Sequence, residues 1–341
     1  MQTDRPVLES AACEAPAKVN LSLEILGRRP DGYHELRSVV MPVSLFETVE
    51  VRARADAEVR VETVADGVDL AALDGMPPEK HLAAKAVRAM QRALGCPARG
   101  ADVRIVKRIP IGAGMAGGSA DAAGVLACLR AMWAPDMPEA DWLAAGASVG
   151  SDVPALQLGG AVLMEGRGER VSRLLAPDEH PAPFWLVAVF PGYSVSTKEA
   201  YGLWDRSNPE LANAAEGGFE PGTGGADALR TGDLTKPPSL WQTLARSVRH
   251  GDARAASGSL FNGLQNTVSH LHPPTSRFCS ALREAGALGA LLSGSGSAVF
   301  GLAGSEEDAR AIRRRLPREA WSKVLRTLPD GVMAAHGPLV P

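Results

Sequence analysis

The stretch Pro110-Ile-Gly-Ala-Gly-Met-Ala-Gly-Gly-Ser-Ala-Asp-Ala-Ala-Gly124 places five glycines in the thirteen residues that begin at Gly112. Glycine admits positive φ and removes the side chain that would keep a ligand at a distance. The turn runs straight into a helix of small residues, whose first N–H groups are free and whose dipole has its positive end there. Phosphate suits that geometry; the competing possibility is a glycine turn with no ligand. Gly112, Gly114 and Gly117 formally satisfy GxGxxG, but the flanks do not suit a dinucleotide-binding unit. A strand sandwiched between helices is nearly all apolar, whereas Val103-Arg-Ile-Val-Lys-Arg-Ile109 carries three cations and a partial alternation. The acidic partner expected at a second strand end is missing, since Asp136 and Glu139 sit in a proline-containing link. No GK[ST] closes the run, which removes a Walker A loop.

Outward from the loop, Val19, Leu21, Leu23 and Ile25 alternate with Asn20, Ser22 and Glu24, the period of a strand with one buried face. Gly27 to Gly32 punctuates, Arg37 to Val43 resumes an apolar run, and Val49/Val51 and Val59/Val61 continue the alternation, which predicts an antiparallel sheet. His81 to Leu94 has helical period and is stopped by Gly95 and Pro97. A strand over Asp102 to Ile109 precedes the loop, and helices follow from about Gly118 to Trp133 and over Glu139 to Val149. Ala155 to Glu165 reads as strand broken by Gly159-Gly160, and Phe184 to Phe190 as strand. Ser207 to Ser239 lacks periodicity and reads as a long surface loop with one short helix. Helices are expected at Leu240 to Arg249, Asp252 to Leu260 and Ser276 to Ala285, and strands at Gly289 to Ser293 and Ala298 to Leu302. Ser305-Glu-Glu-Asp308 resembles a capping box opening a basic helix. The class is therefore α+β: an N-terminal lobe over 1–165 that holds the glycine loop, then a second α+β lobe over 166–341, with the junction somewhere in 165–183.

The length of 341 residues is roughly two domains at about 150 each, and 45% hydrophobic with 22% charged residues is the balance of a folded globular chain. Lys and Arg number 36 against 39 Asp and Glu, a formal charge of -3, without the cation excess that tracking a nucleic-acid backbone requires. Cys13, Cys96, Cys128 and Cys279 lie far apart with no CxxC or Cys/His pairing, which supports neither a zinc site nor a disulfide framework. The expected compartment is the reducing cytoplasm. Met1-Gln-Thr-Asp-Arg-Pro does not read as a signal peptide, and no apolar stretch approaches the ~20 residues of a membrane span.

The loop resembles the phosphate loop of the GHMP kinases, which phosphorylate galactose, homoserine, mevalonate and related small alcohols. The likeness extends from Ala15 to about Gly301 through Ala15-Pro-Ala-Lys18-Val-Asn20-Leu-Ser-Leu, Arg29-Pro-Asp-Gly-Tyr33-His34-Glu-Leu, Gly150-Ser-Asp152-Val-Pro154, Pro191-Gly-Tyr-Ser-Val-Ser-Thr197 and Leu292-Ser-Gly294-Ser-Gly296-Ser. These segments look most like the branch whose acceptor is a cytidine diphosphate-linked methylerythritol of the non-mevalonate isoprenoid route. The resemblance implies a two-lobe kinase with its active site in the cleft between lobes, ATP and Mg²⁺ as cofactors, a monomer or homodimer, and no nucleic-acid or membrane partner. It assigns the ATP phosphates to Pro110, Ile111, Gly112, Ala113, Gly114, Met115, Ala116, Gly117, Gly118, Ser119 and Ala120, with the Ser119 hydroxyl suited to phosphate or the metal. It puts Asp152 at the acceptor hydroxyl with Lys18 beside it. Such a pair is chemically apt, because a carboxylate can take the alcohol proton while an ammonium keeps it ionised. Tyr33 and His34 would contact the cytosine, Tyr201 would be a second stacking aromatic, Asn20 a polar substrate contact, and Thr197 would end the substrate-lobe strand and touch substrate.

Structural alternatives stand beside each assignment. Asp152 suits a helix N-cap ahead of Pro154, Lys18 a surface lysine, Asn20 an outward strand residue, and Tyr201 a packing residue with Leu203 and Trp204. The chain also departs from the family. Met115 and Ala116 stand where Leu-Gly is common, Ala120 where a second serine is common, and Gln265 where an acidic residue is frequent, so Leu260 to Gln265 receives no catalytic role. Residues 207–239 and those before Glu14 have no counterpart. The competing functions are a GHMP-type kinase of another small alcohol, a nucleotide-binding protein without turnover, and a nicotinamide oxidoreductase.

Overall fold

A computed structural model describes residues 8–176, 178–213, 239–317 and 320–335 of the chain. It begins with β1 (Ser10–Asn20), β2 (Ser22–Arg28), the twenty-residue β3 (His34–Ala53) and β4 (Val59–Ala65). Helix α1 (Leu82–Leu94) starts where the His81 ring accepts from the Ala83 N–H and ends on left-handed Gly95. Then come β5 (Ala101–Lys107), α2 (Gly117–Trp133), α3 (Glu139–Ala147), α4 (Val153–Leu158), β6 (Val162–Gly166) and β7 (Arg170–Arg173). The second half runs through β8 (Trp185–Phe190), α5 (Thr197–Ser207), α6 (Pro209–Asn213), α7 (Leu240–Arg249), α8 (Ala253–Ser257), β9 (Phe261–Asn262), α9 (Gln265–Leu271) and α10 (Pro274–Glu284). It closes with β10 (Gly289–Leu292), β11 (Val299–Ala303), α11 (Glu306–Arg315), β12 (Trp321–Arg326) and β13 (Met333–Ala335). The Ser305 side chain accepts from the Asp308 N–H and so caps α11.

β3 is long enough to serve as the spine of a nine-stranded sheet. It pairs with β1 over Val40 to Arg52, with β2 over His34 to Arg37, with β6 over Leu36 to Val40 and with β5 over Thr48 to Ala53. The β1–β3 register shifts between Pro16 and Ala17, just before Lys18, where β3 carries two extra residues, Ser44 and Leu45; proline has no N–H for the ladder, so the pairing breaks there. α1 and α2 cover one face, with Val87, Met90, Val125, Leu126 and Leu129 in a continuous core with Val19, Val39, Val49 and Ile105. A four-stranded sheet of order β10-β11-β8-β12 forms the second layer system, packed on α10 and α11 through Val187, Leu282, Leu292, Val299 and Ile312.

Several expectations change. The alternation from Val19 to Ile25 is split between β1 and β2, and Asn20 and Ser22 are as buried as their apolar neighbours, because loops from both halves of the chain cover the second face. Ala155 to Leu158 is helix rather than strand: Pro154 suits a first helical turn and Gly159, at φ 71, ends it. Pro191 to Ser196 is an irregular connection, and the Ser196 hydroxyl caps α5 at Thr197. The sheet is not wholly antiparallel, since β4 runs parallel to β5 and β9 parallel to β2. Residue 165 lies inside β6, which pairs with β7, so the first sheet extends beyond it; β9 and β13 return to it from later still. The short helix expected within 207–239 is α6, and residues 214–238 lie outside the described residues.

Candidate active site

The glycine loop is held from three sides. The Lys18 N–H donates to the Met115 carbonyl at 3.1 Å, the Ala298 N–H to the Ala113 carbonyl at 2.9 Å, and the Ser293 hydroxyl to the Gly114 carbonyl at 3.1 Å. Gly114, at φ 75, has room for nothing larger: a Cβ would lie 2.3 Å from the Ser293 carbonyl oxygen. Ala116 is the only described non-glycine residue at positive φ (61°) and occupies the N-cap of α2 without a side-chain cap. With no acidic residue in the first turn, the open N–H groups of a seventeen-residue helix are left to an anion.

Beneath the loop, Lys107 binds two carboxylates. Its Nζ is 2.7 Å from Glu47 Oε1 and 2.8 Å from Asp121 Oδ2. Glu47 also accepts from the Arg108 and Ile109 N–H groups at 2.5 and 3.3 Å. One buried cluster therefore ties β3 to the loop entry and to the first turns of α2. Burial, reinforced by the charge of Asp121, pushes Glu47 up to about 7 against the pull of Lys107. Burial alone would pull Lys107 down, but Asp121 and Glu47 hold it above its ordinary value.

The loop forms one wall of a cleft of about 770 Å³. Lys18, only 3% exposed, reaches across its floor: Nζ donates to Asn20 Oδ1 at 2.8 Å and to the Gly114 carbonyl at 3.3 Å, and lies 3.6 Å from Asp152 Oδ2. Asn20 is oriented by donating to the Ser38 hydroxyl at 2.8 Å. Asp152 takes the N-cap position of α4 but its carboxylate makes no cap hydrogen bond, and its side chain is 32% exposed in the cleft. The alternatives of a surface lysine, an outward asparagine and a capping aspartate are thereby removed.

Also lining the cleft, Tyr33 is exposed on the turn after Asp31 and carries the Arg167 guanidinium 5.0 Å above its ring. The His34 ring stacks on Tyr201 at 4.6 Å and meets the Trp204 edge at 5.7 Å, and His34 Nε2 lies 2.6 Å from Asp205 Oδ1. Tyr201 lines the cleft yet packs with the second core, and burial, then the Asp152 charge, push its phenol up. The Thr197 hydroxyl is 2.9 Å from that of Ser295, joining α5 to the turn after β10.

Gly112, Ala113, Gly114, Ala116, Gly117, Gly118 and Ser119 line the cleft as expected from the sequence. Met115 and Ala120 do not: both side chains are buried in the core, Met115 from the loop and Ala120 from the first turn of α2. Pro110 and Ile111 line a separate cavity of about 530 Å³ with Gly67, Val68, Phe190 and Tyr193. Gln265 accepts from the Leu292 N–H at 3.0 Å, and Asn262 donates to the Leu292 and Gly294 carbonyls, so both hold the turn that covers the glycine loop. Arg28, Arg167, Lys198 and Asp205 line the cleft without having been singled out from the sequence. Asp205 had a signal, its i+4 spacing from Tyr201; the three cations had none. Among the described residues no group of three or more His, Cys, Asp or Glu could hold a metal, and no helix is long and apolar enough to cross a membrane.

The pattern of the GHMP kinases N terminal domain matches residues 81–160, and that of the GHMP kinases C terminal matches 241–323. The chain is 36% identical over 305 residues to a 4-diphosphocytidyl-2-C-methyl-D-erythritol kinase of Pelotomaculum thermopropionicum, covering 89% of this chain and 93% of the relative. It is 37% identical over 318 residues to the protein of the same name from Symbiobacterium thermophilum, covering 92% and 99%. A crystal structure of a 4-(cytidine 5'-diphospho)-2C-methyl-D-erythritol kinase superposes with a TM-score of 0.65 at 30% identity over 92% of this chain and 98% of that one. A homoserine kinase from Cytophaga hutchinsonii superposes with a TM-score of 0.69 at 19% identity, over 98% and 100%, a likeness of fold.

Proposed function

Because the chain belongs to the GHMP kinases, and within them to the 4-diphosphocytidyl-2-C-methyl-D-erythritol kinase family, we propose that it transfers the γ-phosphoryl group of ATP to the 2-hydroxyl of 4-diphosphocytidyl-2-C-methyl-D-erythritol, a step of isoprenoid precursor synthesis. The observation that carries the site assignment is the position of the Lys18–Asp152 pair, in one cleft with an uncapped helix start and an aromatic pocket.

The acceptor hydroxyl attacks the γ-phosphorus as the bond to the departing ADP breaks, and its proton passes to the Asp152 carboxylate. The Lys18 ammonium lies 3.6 Å from that carboxylate and, fixed by Asn20 and the Gly114 carbonyl, cannot swing away. The backbone N–H groups at Gly117 to Ser119 hold the phosphates, and the cavity beside Pro110 and Ile111 takes the nucleoside, since the reacting end must face Asp152. We assign the metal as Mg²⁺ arriving with the nucleotide. Mg²⁺ keeps several waters and needs few protein oxygens, so the Ser119 hydroxyl on the cleft wall fits it without an acidic cluster. Bound there, it would offset the negative charge of the phosphates. Location in the cytoplasm fits four free cysteines, three of them buried.

The test is ADP release with Mg-ATP against the cytidylated alcohol, its methylerythritol phosphate precursor, homoserine, mevalonate and galactose. Turnover confined to the cytidylated alcohol is expected; turnover with another acceptor alone would overturn the assignment. Tyr33→Ala is expected to raise KM for the cytidylated acceptor by about ten-fold or more while KM for ATP stays near wild type.

A further inference from the structure

The imidazole of His34 is fixed more firmly than substrate contact alone requires. It is stacked on Tyr201, edged by Trp204 and bound through Nε2 to Asp205 at 2.6 Å, so the ring can neither slide nor flip. A carboxylate oxygen only accepts, so Nε2 carries the hydrogen, and in the neutral ring Nδ1 is left with its lone pair. Asp205 is half-buried on α5 one turn after Tyr201, with Arg28 Nε 3.9 Å from its other oxygen. No described residue donates to His34 Nδ1, and His34 lines the cleft together with Tyr33 and Tyr201.

We infer that Asp205 is a positioning residue for base selection: by holding His34 in the Nε2–H tautomer it presents Nδ1 as an acceptor for the exocyclic amino group of cytosine. Uracil in the same pose turns its O4 lone pairs toward that nitrogen, so the two acceptors repel and the base is refused. This inference rests on the proposed cytidylated acceptor, whose base is a flat ring suited to the cleft-lining aromatics Tyr33, His34 and Tyr201.

The experiment compares kcat/KM for the cytidine-linked acceptor and its uridine-linked counterpart in wild type, Asp205→Ala and Asp205→Asn, with KM for ATP as control. Wild type is expected to prefer cytidine by about 10²-fold or more, and Asp205→Ala to reduce that ratio at least about ten-fold with KM for ATP unchanged. Asp205→Asn, whose amide oxygen still accepts from Nε2–H, should fall between them. An unchanged ratio in Asp205→Ala, with both acceptors weakened equally, would reduce Asp205 to a packing role and overturn the inference. The imidazole ¹⁵N shifts of His34 in the full chain, assigned with His34→Gln, give a readout independent of turnover. A protonated Nδ1 in wild type overturns the inference even if Asp205→Ala does not fold. Absence of turnover with either acceptor defeats the functional reading instead, and the base assignment with it, while the tautomer still reports on Asp205.

Discussion

Ala116 holds a left-handed backbone that costs an L-residue about 1–2 kcal/mol, at a position where related loops commonly have glycine. Ala116→Gly should therefore stabilise the protein by about 0.5–1 kcal/mol after the larger chain entropy of glycine is subtracted. Chemical denaturation checks this, and a loss of stability would show that the φ of 61° is not strained in solution. The sequence marked Ala116 as a departure, but a one-residue change of handedness leaves no periodic trace. Lys18 shows the same limit. Strand alternation gives no reason to bury it, and only its motif pointed to a role; the register shift at Pro16/Ala17 and the loops above it explain the burial. For the reaction itself, Asp152→Asn keeps the size of the side chain and removes the base. The expected result is a fall in kcat of about 10²–10⁴ with ATP affinity near wild type, measured by steady-state kinetics and nucleotide binding; near-normal turnover would remove Asp152 from its proposed role.

Among elements, α2 sits on the sheet at a distance its small residues permit. A Cβ on Gly124 would lie 2.8 Å from Val49 Cγ2 and 3.1 Å from Cys13 Sγ, so Gly124→Ala, despite better helix propensity, should destabilise by about 1–3 kcal/mol. A rise in melting temperature would refute that account. The same close approach brings Asp121 to Lys107 and Glu47, and the cluster gives stability a pH dependence with a definite sign. Glu47 titrates near 7 in the folded chain against an ordinary 4.5, so the folded state holds the extra proton. Its contribution is complete below pH 4.5 and is lost as pH rises through 7, on the order of 1–3 kcal/mol. Wild type should thus lose stability relative to Glu47→Gln between pH 5 and pH 8 in denaturant titrations, and a constant difference would contradict the extra proton on Glu47. Elements with strong period and clear caps, α1 and α11, were legible in sequence. α4 was misread because its six residues, Val153–Leu158, are too few for a period to show. The Glu47–Lys107–Asp121 cluster joins positions from three elements, which no local pattern can reveal.

For the molecule as a whole, the α+β class followed from the periodicity of strands and helices and the cleft from the family resemblance, whereas the return of the chain to its first sheet followed from neither. β13 adds to β1 beside Cys13 and Glu14, the Val332 N–H donates to the Leu156 carbonyl at 3.0 Å, and Gly331 fits against Gly159 so tightly that a Cβ on either would collide with the other's backbone. Three residues of strand carry too little signal to announce this closure. It braces both β1, which bears Lys18, and α4, which follows Asp152. Removal of residues 328–341 should lower the melting temperature by several degrees and reduce kcat more than it raises KM for ATP, by calorimetry and steady-state kinetics. Unchanged kcat in a folded truncation would show that the closure is independent of the site. The closure also sets an order of events during synthesis. The strand that carries Lys18 leaves the ribosome some three hundred residues ahead of its last neighbour, and at about 5–20 residues per second it waits tens of seconds with one edge unpaired. Through that interval the nascent chain exposes a strand edge able to template wrong pairings, so the demand for chaperone protection falls on the N-terminal segment and ends only when the final strand arrives.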